Sequence, residues 1–199
     1  PAGTTLAFQL VGMTVLIFGL AMGQPGHWIS ALGGLVAIWS FSSIGHVAGY
    51  DRLLLKITLA THLCTISFWV GILIPLKELT SAEQTWPKAA DLGRRFGLLA
   101  IVLVPLVIAA GGFMSFILVG SVNGLISTSY GQALIGKIAL VALLLTLAAA
   151  NKFRFIPELH KKSPKAAKNL TRSISAEWLA IFAILGITAV LTSNLNLPL

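Results

Sequence analysis

An all-α, polytopic transmembrane bundle of about six spans is the fold this sequence predicts, on three observations. First, 56% of the 199 residues are hydrophobic and only 10% charged, where a soluble domain carries about 25% charged residues. The mean hydropathy is +0.90. Second, the apolar residues fall into six stretches, each near the ~20 residues that a bilayer requires. Third, the cations concentrate between those stretches rather than on them. The net charge of +8 is therefore read as loop charge that meets anionic membrane lipids, not as a nucleic-acid stripe, because the basic segments lack interleaved aromatics.

The six spans are expected over residues 6–23, 28–49, 57–76, 98–120, 133–150 and 176–193, in one transmembrane domain covering 1–199. Gly23-Gln24-Pro25-Gly26 is a turn between the first two. Gly49-Tyr50-Asp51-Arg52 is a tight polar turn between the second and third. Residues 77–97 read as a long loop, with a short interfacial helix expected over 89–96. Gly111-Gly112 and Pro105 lie inside the fourth span, where they permit close packing and bending. Residues 151–175 read as a second long loop, strongly basic. Because the chain opens at Pro1 without methionine, a further segment is expected upstream.

Orientation follows from the loop cations. Lys77, Lys88, Arg94 and Arg95 lie in the third loop, and Lys152, Arg154, Lys161, Lys162, Lys165, Lys168 and Arg172 in the fifth. The even loops hold only Arg52 and Lys56. This asymmetry predicts cytoplasmic odd loops, with both termini outside, on the periplasmic side in a Gram-negative cell. Trp28, Trp86 and Tyr130 fall near the expected interfaces, as an aromatic belt would.

His46 and His62 flank the polar turn on either side. On two antiparallel helices, at ~1.5 Å per residue, their depths would differ by a few ångströms. Ionisable side chains at membrane depth are costly, and imidazole suits copper, zinc, iron and nickel. The pair is thus a candidate ligand set, with two separate structural histidines as the alternative. Met114, in the outer half of the fourth span, is a candidate soft ligand for Cu(I); Met13 and Met22 read as core. Asp51 lies in the same turn, as a further ligand, as a partner of Arg52, or facing water. Lys137, about two turns past Tyr130, either snorkels to the outer headgroups or places a fixed charge near the outer site. Glu177 is expected to open the last span, as a dipole-stabilised cap or as a proton relay. Cys64 lies about 200° around the helix from His62 and reads as a small core residue; as the only cysteine it excludes an internal disulfide. Trp69, two turns past His62, is expected to share its cavity. No GxSxG, P-loop, HExxH or CxxCH motif occurs, so the chain is not read as an enzyme.

The order of several elements carries a family resemblance. Gly45-His46, His62-Leu63 followed by Trp69-Val70-Gly71, Arg95-Phe96, Thr128-Ser129-Tyr130-Gly131, Lys137, Asn151-Lys152, Pro157-Glu158-Leu159 and Glu177 stand in sequence. Together they resemble the copper resistance protein D (CopD) domain family over about 39–199. The resemblance implies a bacterial inner-membrane protein of about eight helices, against six read here, so N-terminal helices are either missing or never existed. It implies copper import or handling beside a periplasmic copper carrier, with His46 and His62 as metal residues. It also implies an Asn-Arg pair, which here reads Asn151-Lys152. Two alternatives stand beside copper movement from periplasm to cytoplasm. One is a haem-b-binding subunit for electron transfer, with the two histidines as axial ligands. The other is an accessory membrane subunit without a cofactor.

Overall fold

The computed structural model describes residues 2–44, 46–49, 52–193 and 195. All regular structure among them is helical: α1 (Ala2–Ala21), α2 (His27–Ser40), α3 (Leu53–Leu79), α4 (Trp86–Val119), α5 (Val122–Ser127), α6 (Ser129–Ala150), α7 (Ile156–His160) and α8 (Pro164–Ser193). Among the described residues, four helical segments are long and apolar enough to cross a membrane: Leu53–Leu79, Glu83–Val119, Ser129–His160 and Pro164–Ser193. The all-α membrane architecture stands, with four such spans in place of about six. The apolar stretch of α1, Thr5–Ala21, is shorter. So is α2, whose 14 residues rise ~21 Å against a ~30 Å hydrocarbon core.

Three expected boundaries move. The second span does not run to residue 49. Ser40 turns its Oγ back onto Ala37 O at 2.7 Å, a local bond that competes with helix continuation. The chain tightens into a 3-10 turn at Phe41–Ser43, and Ile44 is extended. His46–Gly49 is a second 3-10 turn, so His46 lies beyond the helix and the equal-depth argument loses its basis. Residues 89–96 do not form a separate interfacial helix: α4 runs unbroken from Trp86, with Asp91 bridging Arg94 at 3.1 Å and Arg95 at 2.8 Å. The basic segment 151–175 is mostly helix, since α8 begins at Pro164. Its Ala166, Ala167, Leu170 and Ile174 recur at helical spacing and are buried, an apolar stripe hidden among lysines.

The chain divides into two compact units. One comprises Pro1–Ile66 and Val107–Leu118, the other Ser67–Leu106 and Val119–Leu199. In the first, α1 and α2 form a hairpin whose backbones meet at glycines. A Cβ on Gly33 would lie 2.4 Å from Leu16 N and 2.6 Å from Gly12 O. Such small-residue contacts are how helices associate where lipid is as apolar as the side chains. The same unit packs Val47, Leu55 and Met114 into a small core, with Leu59 and Ile117 against it.

The second unit has a larger core in which Trp69, Leu73, Leu76 and Trp86 meet Leu159, Leu170 and Ile174. A separate cluster joins Val119, Tyr130, Leu134 and Leu191. Ser121 Oγ and Thr128 Oγ1 cap α5 and α6, accepting from Gly124 N and Gly131 N, each at 3.0 Å. At its far end α6 widens into a π turn, Asn151–Phe155, closed by the Ile156 N–H on Asn151 O. Pro157 explains the widening. Its ring would clash with the carbonyl four residues back in a regular α-helix, and the π turn displaces that carbonyl.

Candidate functional site

In the first unit, His62 lies on α3 within the span Leu53–Leu79. Its Nδ1 sits 3.2 Å from Val107 O on α4. A carbonyl oxygen only accepts, so Nδ1 carries the hydrogen of this bond, and in the neutral ring the lone pair is then on Nε2. Orienting an imidazole by a backbone carbonyl in this way is the usual arrangement behind a histidine ligand. Gly111 makes room for the ring: a Cβ there would lie 3.2 Å from His62 Cε1. Met114 follows Gly111 by three residues, on the same helical face, and is 9% exposed. It packs with Leu55 and Val47. Two of the expected ligands, His62 on α3 and Met114 on α4, thus both lie in the first unit, His62 opposite Val107 and Gly111 and Met114 against Leu55, seven residues before His62.

The other expected ligands stand differently. The backbone of His46 lies in a 3-10 turn beside Val47, which packs on Met114. The His46 side chain and all of Asp51 lie outside the described residues. Among the described residues no group of three or more His, Cys, Asp or Glu clusters as a metal site.

The second unit holds a buried polar cluster that was only partly expected. Glu177 does not open a helix. It lies thirteen residues into α8 and is 1% exposed, so neither a capping role nor the helix dipole accounts for it. Asn151 Nδ2 donates a short hydrogen bond to Glu177 Oε1, and Trp69 Nε1 approaches Oε2 at 3.5 Å, the outer limit of a hydrogen bond. Trp69 therefore serves this cluster and the T-shaped contact with Phe96 (centroids 5.6 Å apart). The two buried side-chain atoms without a hydrogen-bond partner among the described residues are Asn151 Oδ1 and Ser173 Oγ. Both belong to this unit, and Ser173 is one turn before Glu177. A cleft of about 230 Å³ reaches the cluster, lined by Trp69, Phe96, Gly97, Asn151, Lys152 and Glu177 among others.

Lys137 lies in this second unit, half-buried on α6. It continues the face of Tyr130 and Leu134 at four- and three-residue steps. The same steps lead on through residues 141, 144 and 148 to Asn151. That stripe is the signal by which Asn151 was findable: an amide recurring on a face that is apolar apart from Tyr130 and Lys137.

Residues 90–191 match the family described as "Copper resistance protein D". The chain is 31% identical over 175 residues to the "Copper transport protein CutJ" of Bacillus subtilis (strain 168), covering 84% of this chain and 31% of that protein. It is 28% identical over 195 residues to the "Copper resistance protein D" of Pseudomonas syringae pv. tomato, covering 90% of this chain and 63% of that one. It thus spans about a third and under two thirds of the length of these curated relatives. No solved structure matches it. The helical membrane architecture, the order of the motif residues and the matched span agree, and the chain belongs to the copper resistance protein D family.

Proposed function

We propose that this chain moves copper through a bacterial inner membrane, from the periplasm toward the cytoplasm, with His62 and Met114 as the core of its binding site. The observation that carries this reading is the carbonyl-oriented imidazole of His62 at membrane depth, in a unit that also buries the Met114 thioether. A neutral imidazole and a thioether together suit Cu(I), and a hard divalent ion would favour oxygen donors instead. His46 is the proposed further donor, because its neighbour Val47 packs on Met114. Asp51, two residues after Gly49 in the sequence, is proposed as a further ligand. Lys137 is proposed to shape the field along the path. The names of the two relatives, a copper transport protein and a copper resistance protein, support the choice of cargo.

The haem alternative required both histidines on facing helical spans, and His46 follows the end of α2 instead. Purified protein in sealed vesicles tests the reading. The intact chain should accumulate Cu(I), and His62→Ala should lose at least ~10-fold in affinity, since loss of even an outer partner reaches that size. Uptake by His62→Ala equal to that of the intact chain would overturn the assignment.

A further inference from the structure

The cluster around Glu177 has an imbalance of hydrogen-bonding groups. Glu177 is the only buried carboxyl among the described residues. Two N–H groups point at it, from Asn151 and Trp69, and among the described residues no cation is paired with it. Asn151 itself is 7% exposed, yet its Oδ1 has no donor. A buried acceptor left without a donor costs about 1–3 kcal/mol, and an unpaired buried carboxylate costs more. One missing group removes both costs: a hydrogen on the Glu177 carboxyl. A carboxylic acid and a primary amide pair through two hydrogen bonds, N–H to carbonyl one way and O–H to carbonyl the other. Half of that ring is already formed, by Asn151 Nδ2 on Oε1.

The surroundings fit a proton better than a copper ion. Ser173 Oγ, Asn151 Oδ1 and the Glu177 carboxyl are all hard oxygen atoms, with no sulfur or imidazole among the cleft's lining residues. From α3, α4, α6 and the π turn, the one titratable side chain lining the cleft besides Glu177 is Lys152. Its stem lies over Gly97 and its ammonium stands over the Phe153 ring, 5.3 Å from the centroid. The π turn that aims Asn151 is itself a departure from regular helix of the kind that recurs at functional sites.

We propose that Glu177 and Asn151 form a proton-binding site, in which the Glu177 carboxyl holds a proton against Asn151 Oδ1 and exchanges it with water through the cleft. Uptake turns carboxylate and hydronium into carboxylic acid and water; release reverses this. The use of that proton to drive copper rests on the transport reading above. The protonation itself does not, and it is tested without copper.

The test is infrared spectroscopy of the full chain at pH 7, in D2O and a detergent free of ester groups. Exposed carboxyls are ionised there, because their ordinary pKa lies near ~4, so they are silent in the carboxylic-acid region. The intact chain should show one carboxylic-acid carbonyl band, lost in Glu177→Gln. That variant mimics the neutral acid and should keep the thermal stability of the intact chain. If Glu177→Gln does not fold, Asn151→Ala carries the test, because the band should persist but shift when its amide partner is removed. Identical spectra for the intact chain and Glu177→Gln, or a band unmoved in Asn151→Ala, overturn the site. Intact copper binding at His62 alongside that failure would leave the transport reading standing.

Discussion

Replacing Gly111 by alanine puts a methyl group against the imidazole of His62. The added Cβ would lie 3.2 Å from Cε1 and 3.6 Å from Nδ1, where carbon–carbon contacts settle at about 3.5–4.0 Å. The ring must therefore retreat by about 0.3–0.8 Å. Its Nδ1 stands 3.2 Å from Val107 O, already at the long end of hydrogen-bond range, so the retreat breaks that bond. In a bilayer such a bond is worth about 0.6 kcal/mol on average and about 1.7 at most, or about 3-fold to 20-fold in affinity. Loss of the partner that orients a histidine ligand costs about 10–100-fold. The two ranges meet near tenfold, and Gly111→Ala should weaken Cu(I) binding by about that factor. The control is next door: a Cβ on Gly112 meets nothing within 4 Å, so Gly112→Ala should bind as the intact chain does. Competition against a chromophoric Cu(I) chelator in detergent gives both affinities. Equal values for the two variants would refute the placement of copper at His62.

Three further outcomes are expected. Gly33→Ala should destabilise the α1–α2 hairpin by about 1–3 kcal/mol or more, because its Cβ meets backbone at 2.4 and 2.6 Å, whereas Gly34→Ala, 3.5 Å from the end of Leu16, should be tolerated; equal thermal shifts in detergent would contradict the tight crossing. Reporter fusions at Lys88 and Lys165 should read cytoplasmic and one at Asn123 periplasmic, following the loop cations; a periplasmic signal at Lys165 would reverse the orientation. Lys137→Met, similar in length and apolar, should alter copper flux while folded yield is unchanged, and an unaltered flux would remove Lys137 from the path.

The fold class was legible because composition alone carries it: long apolar stretches and cations between them leave no soluble alternative. The helix ends were not. Apolar windows mark only the part of a helix that faces lipid, so α8 was shortened to 176–193. Its first three turns bury Ala166, Ala167 and Leu170 on one side and carry Lys165, Lys168 and Arg172 on the others. That error put Glu177 at a helix end and concealed its burial. In α2 the opposite happened, because Ser40, Ser42 and Ser43 sit among apolar residues and the local bond of Ser40 was outweighed by them. His62 was legible as an imidazole at membrane depth. Its neighbours were not, since nothing in one sequence fixes which turn of α4 faces which turn of α3. Trp69 illustrates the same gap. Its spacing from His62 is helical, yet its ring belongs to the Glu177 cluster of the second unit.

X-ray absorption at the copper edge, on Cu(I)-loaded protein made with selenomethionine, tests the central claim most directly. The account predicts copper–selenium scattering together with the outer-shell scattering of imidazole. The selenium signal should vanish in Met114→Leu and survive Met13→Leu and Met22→Leu, and the imidazole signal should fall in His62→Ala. Copper bound with no selenium neighbour, or a selenium signal untouched by Met114→Leu, would contradict it.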